Sequence, residues 1–542
     1  MKLSLPTFRP TLIALLGATG LILLIAISNI ANLLLARGSA RQREFSVRAA
    51  LGAGRARLAR LLLTESLLLS ALGGLGGLVL GFGGVRLLFS MEPAWIPRLP
   101  EIAIDGTVLI AAGVVTLASG VVFGFAQALF LRGPLIAGIR QASGGLDGGG
   151  RGWLRSGLVV SQLALSLVLL TGSGLMIRSF LALQSVPIGF DYRHIATFSI
   201  GEGGALIGPT GPARAARLQQ YRSALAHVRA IPGVRGLTLT SQAPLGRMWA
   251  VEDVEVLTGV NRGQHTVDFV GVDENFFQFF GSRPVAGRLF EPADVLRADN
   301  VVVVDANLAQ ILWPGEPAVG QRVRFFDVES GVIGVAEPIR YGLLTDEMRP
   351  TLFHLLGRSG GGTFGGSVLV RHDGDAEAIG AAIRSRLKEV DATLQVDDLQ
   401  PLAVLYDQSL REPRFYLLLL GTLGALGLMV ATLGVYGVVA YSVARRTGEI
   451  GIRMVLGGRP AQIVRLFCRR MALLIAAGIG SGLLAAVWLT RYIRSLLFQV
   501  QPTDPVAIGA MTAILATTAL AATLIPMRRA LSVDPATTLR AE

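Results

Sequence analysis

The residue types that most often carry chemistry are sparse in this 542-residue sequence, and their spacing narrows what it can do. Cradling a nucleotide phosphate in a P-loop needs Gly-Lys followed by Ser or Thr. Only two lysines are present, Lys2 and Lys388, and neither follows a glycine. ATP hydrolysis of that kind is therefore excluded from these residues. Gly357-Arg358-Ser359-Gly360-Gly361 has the spacing of a nucleophile elbow, and Gly360-Gly361-Gly362-Thr363-Phe364-Gly365 that of a dinucleotide loop. Both lie in one glycine-rich stretch, and the run after it, Ser367 to Arg371, reads as a strand where either motif requires a helix. The stretch is expected to be a loop. The histidines, His194, His227, His265, His354 and His372, have no Cys or Glu at metal-ligand spacing. They are expected on the surface or hydrogen-bonded in a core. The single cysteine, Cys468, has no partner for an intramolecular disulfide. No catalytic, cofactor-binding or metal constellation emerges, so the chain is not expected to be an enzyme.

One spacing does recur. Arg43-Glu-Phe-Ser-Val-Arg-Ala-Ala-Leu-Gly-Ala53 aligns with Gly448-Glu-Ile-Gly-Ile-Arg-Met-Val-Leu-Gly-Gly458 at an offset of 405 residues. Glu44, Arg48, Leu51 and Gly52 fall on Glu449, Arg453, Leu456 and Gly457. The acid precedes the arginine by four residues, the favourable order on a helix, and a glycine closes the unit as a C-terminal cap does. Phe45, Val47 and Leu51 in the first copy, and Ile450, Ile452 and Leu456 in the second, give each an apolar side. Such a short helix can dock a cytoplasmic partner or rest on lipid headgroups. Repetition of four residues in register favours docking.

These motifs are positioned by long apolar segments. The chain is 51% hydrophobic and 16% charged, with mean hydropathy +0.56, whereas soluble domains carry about 25% charged residues. Spanning a bilayer takes about 20 apolar residues, and seven segments reach that: Thr11–Leu35, Leu61–Phe82, Val108–Leu131, Gly157–Ile177, Phe415–Tyr441, Met471–Leu489 and Ala507–Ile525. The first is longer than the apolar core of a signal peptide. Gly73, Gly77 and Gly81 recur four apart, as do Gly478 and Gly482, a spacing that lets helix backbones approach closely in lipid. Glu65 lies near one end of the second span, where an interfacial place beside an arginine is expected.

The net charge of +13 is almost all arginine. It collects after span one (Arg37 to Arg60), between spans three and four (Arg132 to Arg155), after span five (Arg445 to Arg465) and after span seven (Arg528 to Arg540). The positive-inside rule places these four regions in the cytoplasm, which accounts for the charge without nucleic acid. The C-terminus is then cytoplasmic and the segment between spans four and five lies outside. Seven spans put the N-terminus outside as well, against the preference of Lys2 and Arg9.

That outer segment has ordinary globular composition. Thr197–Ile200, Gly236–Thr240, Val301–Val304, Gly331–Val335 and Ser367–Arg371 read as strands, and Pro212–Ile231 and Ala376–Val390 as helices. The expected fold class is a polytopic α-helical membrane protein of two three-helix units with one α+β domain, in one or two lobes. The domains run 1–135, a first unit of three spans; 136–156, a glycine-rich linker around Ser143–Gly152; 157–177, a span leading outward; 178–412, the α+β domain; and 413–542, the second three-span unit.

With both repeats in view, the E-[FI]-x-[VI]-R-x-x-L-G motif followed by two spans resembles the FtsX-like permease domain of MacB-type ABC transporters. The outer segment resembles that family's periplasmic core domain, through Gly189-Phe190-Asp191, Ser241-Gln-Ala-Pro244-Leu245, Phe276-Phe277, Gly287-Arg288, Phe290, Pro292-Ala-Asp294, Asn307 and Gly320-Gln321. The ending Asp534-Pro535-Ala536 with Leu539-Arg540 is also similar. The resemblance covers nearly the whole chain and extends to the large duplicated permeases of acidobacteria. Against those, an upstream span and a first periplasmic domain are absent, which suggests a truncated or alternatively started form. The resemblance implies a permease of the inner (plasma) membrane that works with lipids and with a separate, dimeric ATPase on the cytoplasmic side, and needs no cofactor. ATPase closure would pass through docking helices at Glu44–Gly52 and Glu449–Gly457 (Glu44, Arg48, Leu51, Gly52, Glu449, Arg453, Leu456 and Gly457). Stalk-like extensions past Ile177 and from Leu402 would carry it on to the periplasmic domain. Three readings stay open: export or extraction of a substrate, signal transmission to a periplasmic partner such as a cell-wall hydrolase, and a non-functional fragment.

Overall fold

The computed structural model describes residues 8–40, 48, 51, 54–90, 105–130, 151–200, 205–206, 212–246, 251–296, 299–356, 364–390, 396–445 and 460–531. They form two compact units, Ser185–Glu412 and Met1–Gln184 with Pro413–Glu542.

The second of these units is helical. Its helices are α1 (Phe8–Ala40), α2 (Arg55–Ser90), α3 (Gly106–Phe130) and α4 (Arg151–Gln184) before the other unit, and three more after it. Among the described residues seven helices are long and apolar enough to cross a membrane: Leu12–Asn32, Ala56–Arg86, Gly106–Phe125, Ser156–Gln184, Leu402–Val443, Cys468–Leu496 and Pro505–Arg529. Each contains or overlaps an expected span. α4 starts at Arg151, so the last residues of the expected linker are already helical. Ser143 to Gly150 lies outside the described residues.

The α+β unit begins with β1 (Ile195–Ile200), β2 (Ala205–Leu206), α5 (Pro212–Arg229), β3 (Val234–Thr240), β4 (Val251–Val256), β5 (Gly263–Val272), α6 (Phe276–Phe280), β6 (Pro284–Gly287), α7 (Pro292–Leu296), β7 (Val301–Asp305) and α8 (Ala306–Leu312). It continues with β8 (Arg322–Phe325), β9 (Val328–Ala336), β10 (Thr351–Leu355), β11 (Phe364–Gly365), β12 (Ser367–His372), α9 (Ala376–Val390) and β13 (Val396–Pro401). The remaining span helices are α10 (Leu402–Arg445), α11 (Pro460–Leu489), which ends in a 3-10 segment at Thr490–Leu496, and α12 (Pro505–Leu531).

Two lobes share one sheet. In the first, β1, β3, β12 and β13 stand in the order β3-β12-β1-β13, each antiparallel to its neighbour. With α5 after β1 and α9 after β12, this is a split βαββαβ arrangement. α9 shows why the local sequence obeys. Asp375 accepts from the amides of Glu377 and Ala378, an N-cap, and Ile379, Ile383 and Leu387 then bury one face at helical spacing. They meet Tyr221, Ala224, Leu225 and Val228 of α5 over Phe198, Leu237, Leu239, Val368 and Val370 of the sheet.

The segment between β3 and β12 forms the second lobe. β5 pairs with β4 on one edge and in parallel with β10 on the other. β10 pairs with β7, β7 with β9, β9 with β8, and β8 with β4. Six strands thus close a ring, which removes exposed edges. Its core holds Val254, Val267, Phe269, Leu308, Leu312, Trp313, Phe325 and Leu352.

Candidate functional site

Among the residues expected to couple the chain to a partner, the described ones are Arg48, helical and exposed, and Leu51, in a turn and 83% exposed. Glu44, Gly52, Glu449, Arg453, Leu456 and Gly457 lie outside the described residues. The first segment leads into α2 through Gly54, whose carbonyl accepts from the amides of Arg57 and Leu58. After the second segment, α11 opens with Pro460, a residue suited to the first helical turn. An exposed leucine beside a helix end is what a docking contact needs and what a folding core does not.

The spans behind these segments are tied by a polar seam that sequence reasoning passed over. Ser173, Ser166 and Gln162 of α4 donate to the carbonyls of Leu420 (2.6 Å), Gly427 (3.2 Å) and Val430 (3.0 Å) on α10. Asn29 of α1 donates to the same Val430 carbonyl at 3.5 Å. The helices approach this closely because α10 presents glycines: a Cβ at Gly424 would collide with Ser173, one at Gly434 with Gln162, and one at Gly427 would lie 3.0 Å from Leu169 Cδ1. Asn32, only 2% exposed, bonds through neither of its amide atoms among the described residues. The available signal was the polar side chain inside an apolar span, which is costly unless packed inward. Glu65 sits half-buried on α2, in its third turn.

α4 and α10 lead, in sequence, into and out of the α+β unit. α4 remains helical through Gln184, and α10 starts at Leu402 directly after β13. With 44 residues α10 is about 66 Å long at 1.5 Å per residue, about twice the hydrocarbon thickness. The two strands nearest these helices in sequence, β1 and β13, lie side by side.

Within the α+β unit, the residues that carried the resemblance turn out to hold the fold. Gly287, with φ +68°, and Gly334 bring two chain segments together where Arg288 N donates to Ile333 O. Arg288 then makes two parallel bonds to fully buried Asp294, at 2.6 and 2.7 Å, the fork geometry that makes such pairs strong. Asp294 also accepts from Glu291 N. Phe276 and Phe277 stack edge-on with each other, Phe276 edge-on with Phe280 and Phe277 with Phe353, while Phe290 lies tilted against Phe277. Phe190 meets Phe280 at 4.7 Å. Asp191 accepts from Arg193 N and faces His194 Nδ1 at 3.3 Å, which holds its carboxyl below the usual range. Ser241 accepts from Gly271 N through its hydroxyl, joining β3 to β5.

Two buried carboxylates act as backbone clasps. Asp273 accepts from Thr238 Oγ1 at 2.5 Å and from the amides of Leu239 and Asn275. Asp305 caps α8 through Leu308 N and accepts from Thr351 N. Burial pushes each up to about 6. Burial also raises Asp268, although Arg349 stands 3.6 Å away. His227 and His265 bond to backbone carbonyls. His372 differs from the expected satisfied histidine, because its buried ring nitrogens bond to nothing among the described residues. The two glycine-rich motifs fall almost wholly outside those residues; Phe364 and Gly365 pair with β2. Among the described residues no three His, Cys, Asp or Glu side chains gather as a metal site.

The matches to known families follow this division. Residues 156–386 match the MacB-like periplasmic core domain. Residues 16–134 and again 421–535 match the FtsX-like permease C-terminal model. The pyoverdine export ATP-binding/permease protein PvdT of Pseudomonas syringae pv. tomato is 28% identical over 332 residues, covering 58% of this chain and 49% of the relative. The macrolide export ATP-binding/permease protein MacB of Neisseria meningitidis is 27% identical over 261 residues, covering 46% and 39%. The chain spans about half the length, or less, of these curated relatives. The crystal structure of the periplasmic region of MacB from Actinobacillus actinomycetemcomitans aligns over 42% of this chain and 96% of that one, at 17% identity and a TM-score of 0.29. With a MacB-like core domain set between two FtsX-like segments, this multi-pass membrane chain belongs to the MacB-like, FtsX-domain ABC transporter permeases.

Proposed function

We propose that this chain is the membrane permease of an export system driven by an ATPase that lies outside its 542 residues. The observation that carries the reading is the pairing of two FtsX-like segments with one MacB-like core domain, each segment bearing the Glu-Arg-Leu-Gly unit in register. The relatives it matches are export proteins that join ATP binding to a permease. This chain has the permease part and no P-loop lysine. ATP binding would close a cytoplasmic ATPase dimer against Glu44–Gly52 and Glu449–Gly457. α4 and α10 would pass that motion to the neighbouring strands β1 and β13, and so to the domain on the outer side. The arginine distribution supports a cytoplasmic C-terminus.

The test is co-purification of the chain with its cognate ATPase from membranes, together with ATP turnover. Glu44→Ala combined with Glu449→Ala is expected to cut association and turnover at least fivefold while the spans stay folded. Unchanged association and turnover would reject these segments as the coupling elements. Intact coupling without movement of any substrate into proteoliposomes or cells would favour a signal transmitter acting on a periplasmic partner.

A further inference from the structure

The repeat that carries the Glu-Arg-Leu-Gly unit runs on through the next span, so α2 and α11 can be compared at the same offset of 405 residues. Their far ends differ. Gly83, Arg86, Leu87 and Phe89 stand where the second copy has Trp488, Arg491, Tyr492 and Arg494. α2 stays α-helical through Ser90, whereas α11 tightens into its 3-10 segment at Thr490. Side chains three apart in a 3-10 helix eclipse one another, about 6 Å apart along the axis, so Arg491 and Arg494 stack on one side of that segment. Both are exposed. Trp488 and Tyr492, 58% and 60% exposed, meet edge-on with ring centroids 5.7 Å apart. Leu484, one turn before Trp488, is 77% exposed. This side of α11 lies away from the glycines that meet α4, where a Cβ at Gly478 would stand 2.8 Å from Leu163 Cβ and one at Gly482 2.9 Å from Ala164 Cα. The arginines also differ in what they touch. Arg86 lies over the ring of Phe82, 4.7 Å from its centroid. Val487 stands at the position matching Phe82, and neither the Arg491 nor the Arg494 side chain makes a hydrogen bond, ion pair or ring contact among the described residues. The one acid in the loop that follows, Asp504, is taken: it pairs with Arg178 at 3.3 Å and caps α12 through Ala507 N.

We propose that Trp488, Arg491, Tyr492 and Arg494 form a site for an anionic phospholipid of the outer leaflet, a reading that rests on the orientation proposed above. The apolar run Met471–Leu489 is about 28 Å long at 1.5 Å per residue, close to the hydrocarbon thickness. Trp488 therefore sits at the hydrocarbon boundary and the two arginines at headgroup depth, at the end opposite Arg465, Arg469 and Arg470. Arginine there runs against the charge asymmetry that orients the chain, and the fold gives these two no partner among the described residues. Charge complementarity names the occupant. Two planar guanidiniums stacked on one edge fork onto a phosphate, and their combined charge favours a net-negative headgroup over a zwitterionic one, whose own amine cancels its phosphate. Trp488 and Tyr492 bracket the glycerol level, where an aromatic ring has one apolar end and one wet end. Leu484 lies along the acyl chain.

The probe is phosphatidylglycerol brominated on its acyl chains, which quenches tryptophan on contact, with brominated phosphatidylcholine as its zwitterionic counterpart. The full chain carries Trp95→Phe and Trp153→Phe, which leaves Trp488 as the tryptophan outside the α+β unit, and is placed in phosphatidylcholine nanodiscs with a minor fraction of either probe. The anionic lipid is expected to quench Trp488 about threefold more strongly than the zwitterionic one, and about 0.5 M salt should narrow the gap, since screening weakens exposed charge pairs. Arg491→Gln with Arg494→Gln should abolish the difference, and Arg86→Gln should leave it in place. If the double variant fails to fold, the salt series on the unaltered arginines carries the same test. Equal quenching by the two lipids, or a preference that survives the double variant, would overturn the proposal. So would a preference lost with Arg86→Gln, which would make it a matter of net charge. Quenching by neither lipid would mean that protein covers the face, and a preference abolished by soluble glycerol phosphate would mean a site for a soluble anion; either result overturns the lipid assignment. The side of the membrane is read separately, by an impermeant maleimide on Ser495→Cys in a Cys468→Ala chain in intact spheroplasts. Labelling is expected; labelling only after lysis would reject the proposed orientation, and with it the outer leaflet, whatever the lipid preference.

Discussion

Arg288 and Asp294 show what a single pair of residues contributes in the outer unit. The carboxylate is fully buried and makes three hydrogen bonds, while its arginine is one-third exposed. Asp294→Ala would leave the guanidinium and the amide of Glu291 without their acceptor, and is expected to destabilise the domain by about 2–3 kcal/mol. A thermal scan in nanodiscs would show this, and Arg288→Lys should cost less, because it keeps the charge and loses only the fork. Asp273 and Asp305 carry a pH dependence of definite sign. Their folded values, about 6, exceed the ordinary 3.8. The fold therefore binds protons that the unfolded chain releases between about pH 4 and 6, and stability from these two groups falls as pH rises through that window and levels off above it. Each contributes up to about 3 kcal/mol to the total change across that window. Asp305→Asn should flatten the dependence of unfolding free energy on pH between 4 and 6; an unchanged slope would show that Asp305 is ionised in the fold at pH 5.

Among the elements, α4 and α10 show how glycine and short polar side chains substitute for hydrophobic packing inside the spans. Their contact depends on backbone proximity, so adding bulk should cost more than deleting a hydrogen bond. Gly424→Leu forces a side chain into Ser173 and is expected to lower resistance to denaturing detergent by about 2 kcal/mol or more. Ser166→Ala, which removes only the bond to Gly427 O, should cost about 0.6 kcal/mol. Similar losses from the two variants would place the stabilisation in the hydrogen bonds. At this scale the periodicities were readable. α9 has the bounds its pattern dictates, and the valine-rich strands fall where alternation and β-branching put them. β4 and β5 were missed because consecutive polar residues, Glu252-Asp253 in one and Gln264-His265-Thr266 in the other, interrupt the apolar alternation of each strand. β10 and β13 are short, and their pairing comes from distant segments.

For the whole molecule, one sheet carries two separately packed cores, and the ring lobe is an insertion between β3 and β12. Trp313 is 1% exposed, fills the ring and donates to Thr258 O at 3.0 Å. Trp313→Ala is expected to cost about 3–5 kcal/mol and to speed amide exchange in β4 and in β7 to β10, while β1, β12 and β13 keep their protection. Equal acceleration in both sets would mean that the cores unfold as one. The number of spans, the duplication, the charge asymmetry and the place of an outer α+β domain were all fixed by local composition and by register along the chain. These are properties that a residue carries before anything folds around it. The tertiary structure alone decided which helix face is buried and which strands meet. Gly73 and Gly77 read the same as Gly478 and Gly482 in sequence, yet among the described residues only the second pair is covered, because a glycine's packing depends on the helix that lies against it. The closure of the ring through β5 and β10, and the clasps made by Asp273 and Asp305, likewise join residues tens of positions apart, and no local pattern encodes such distances.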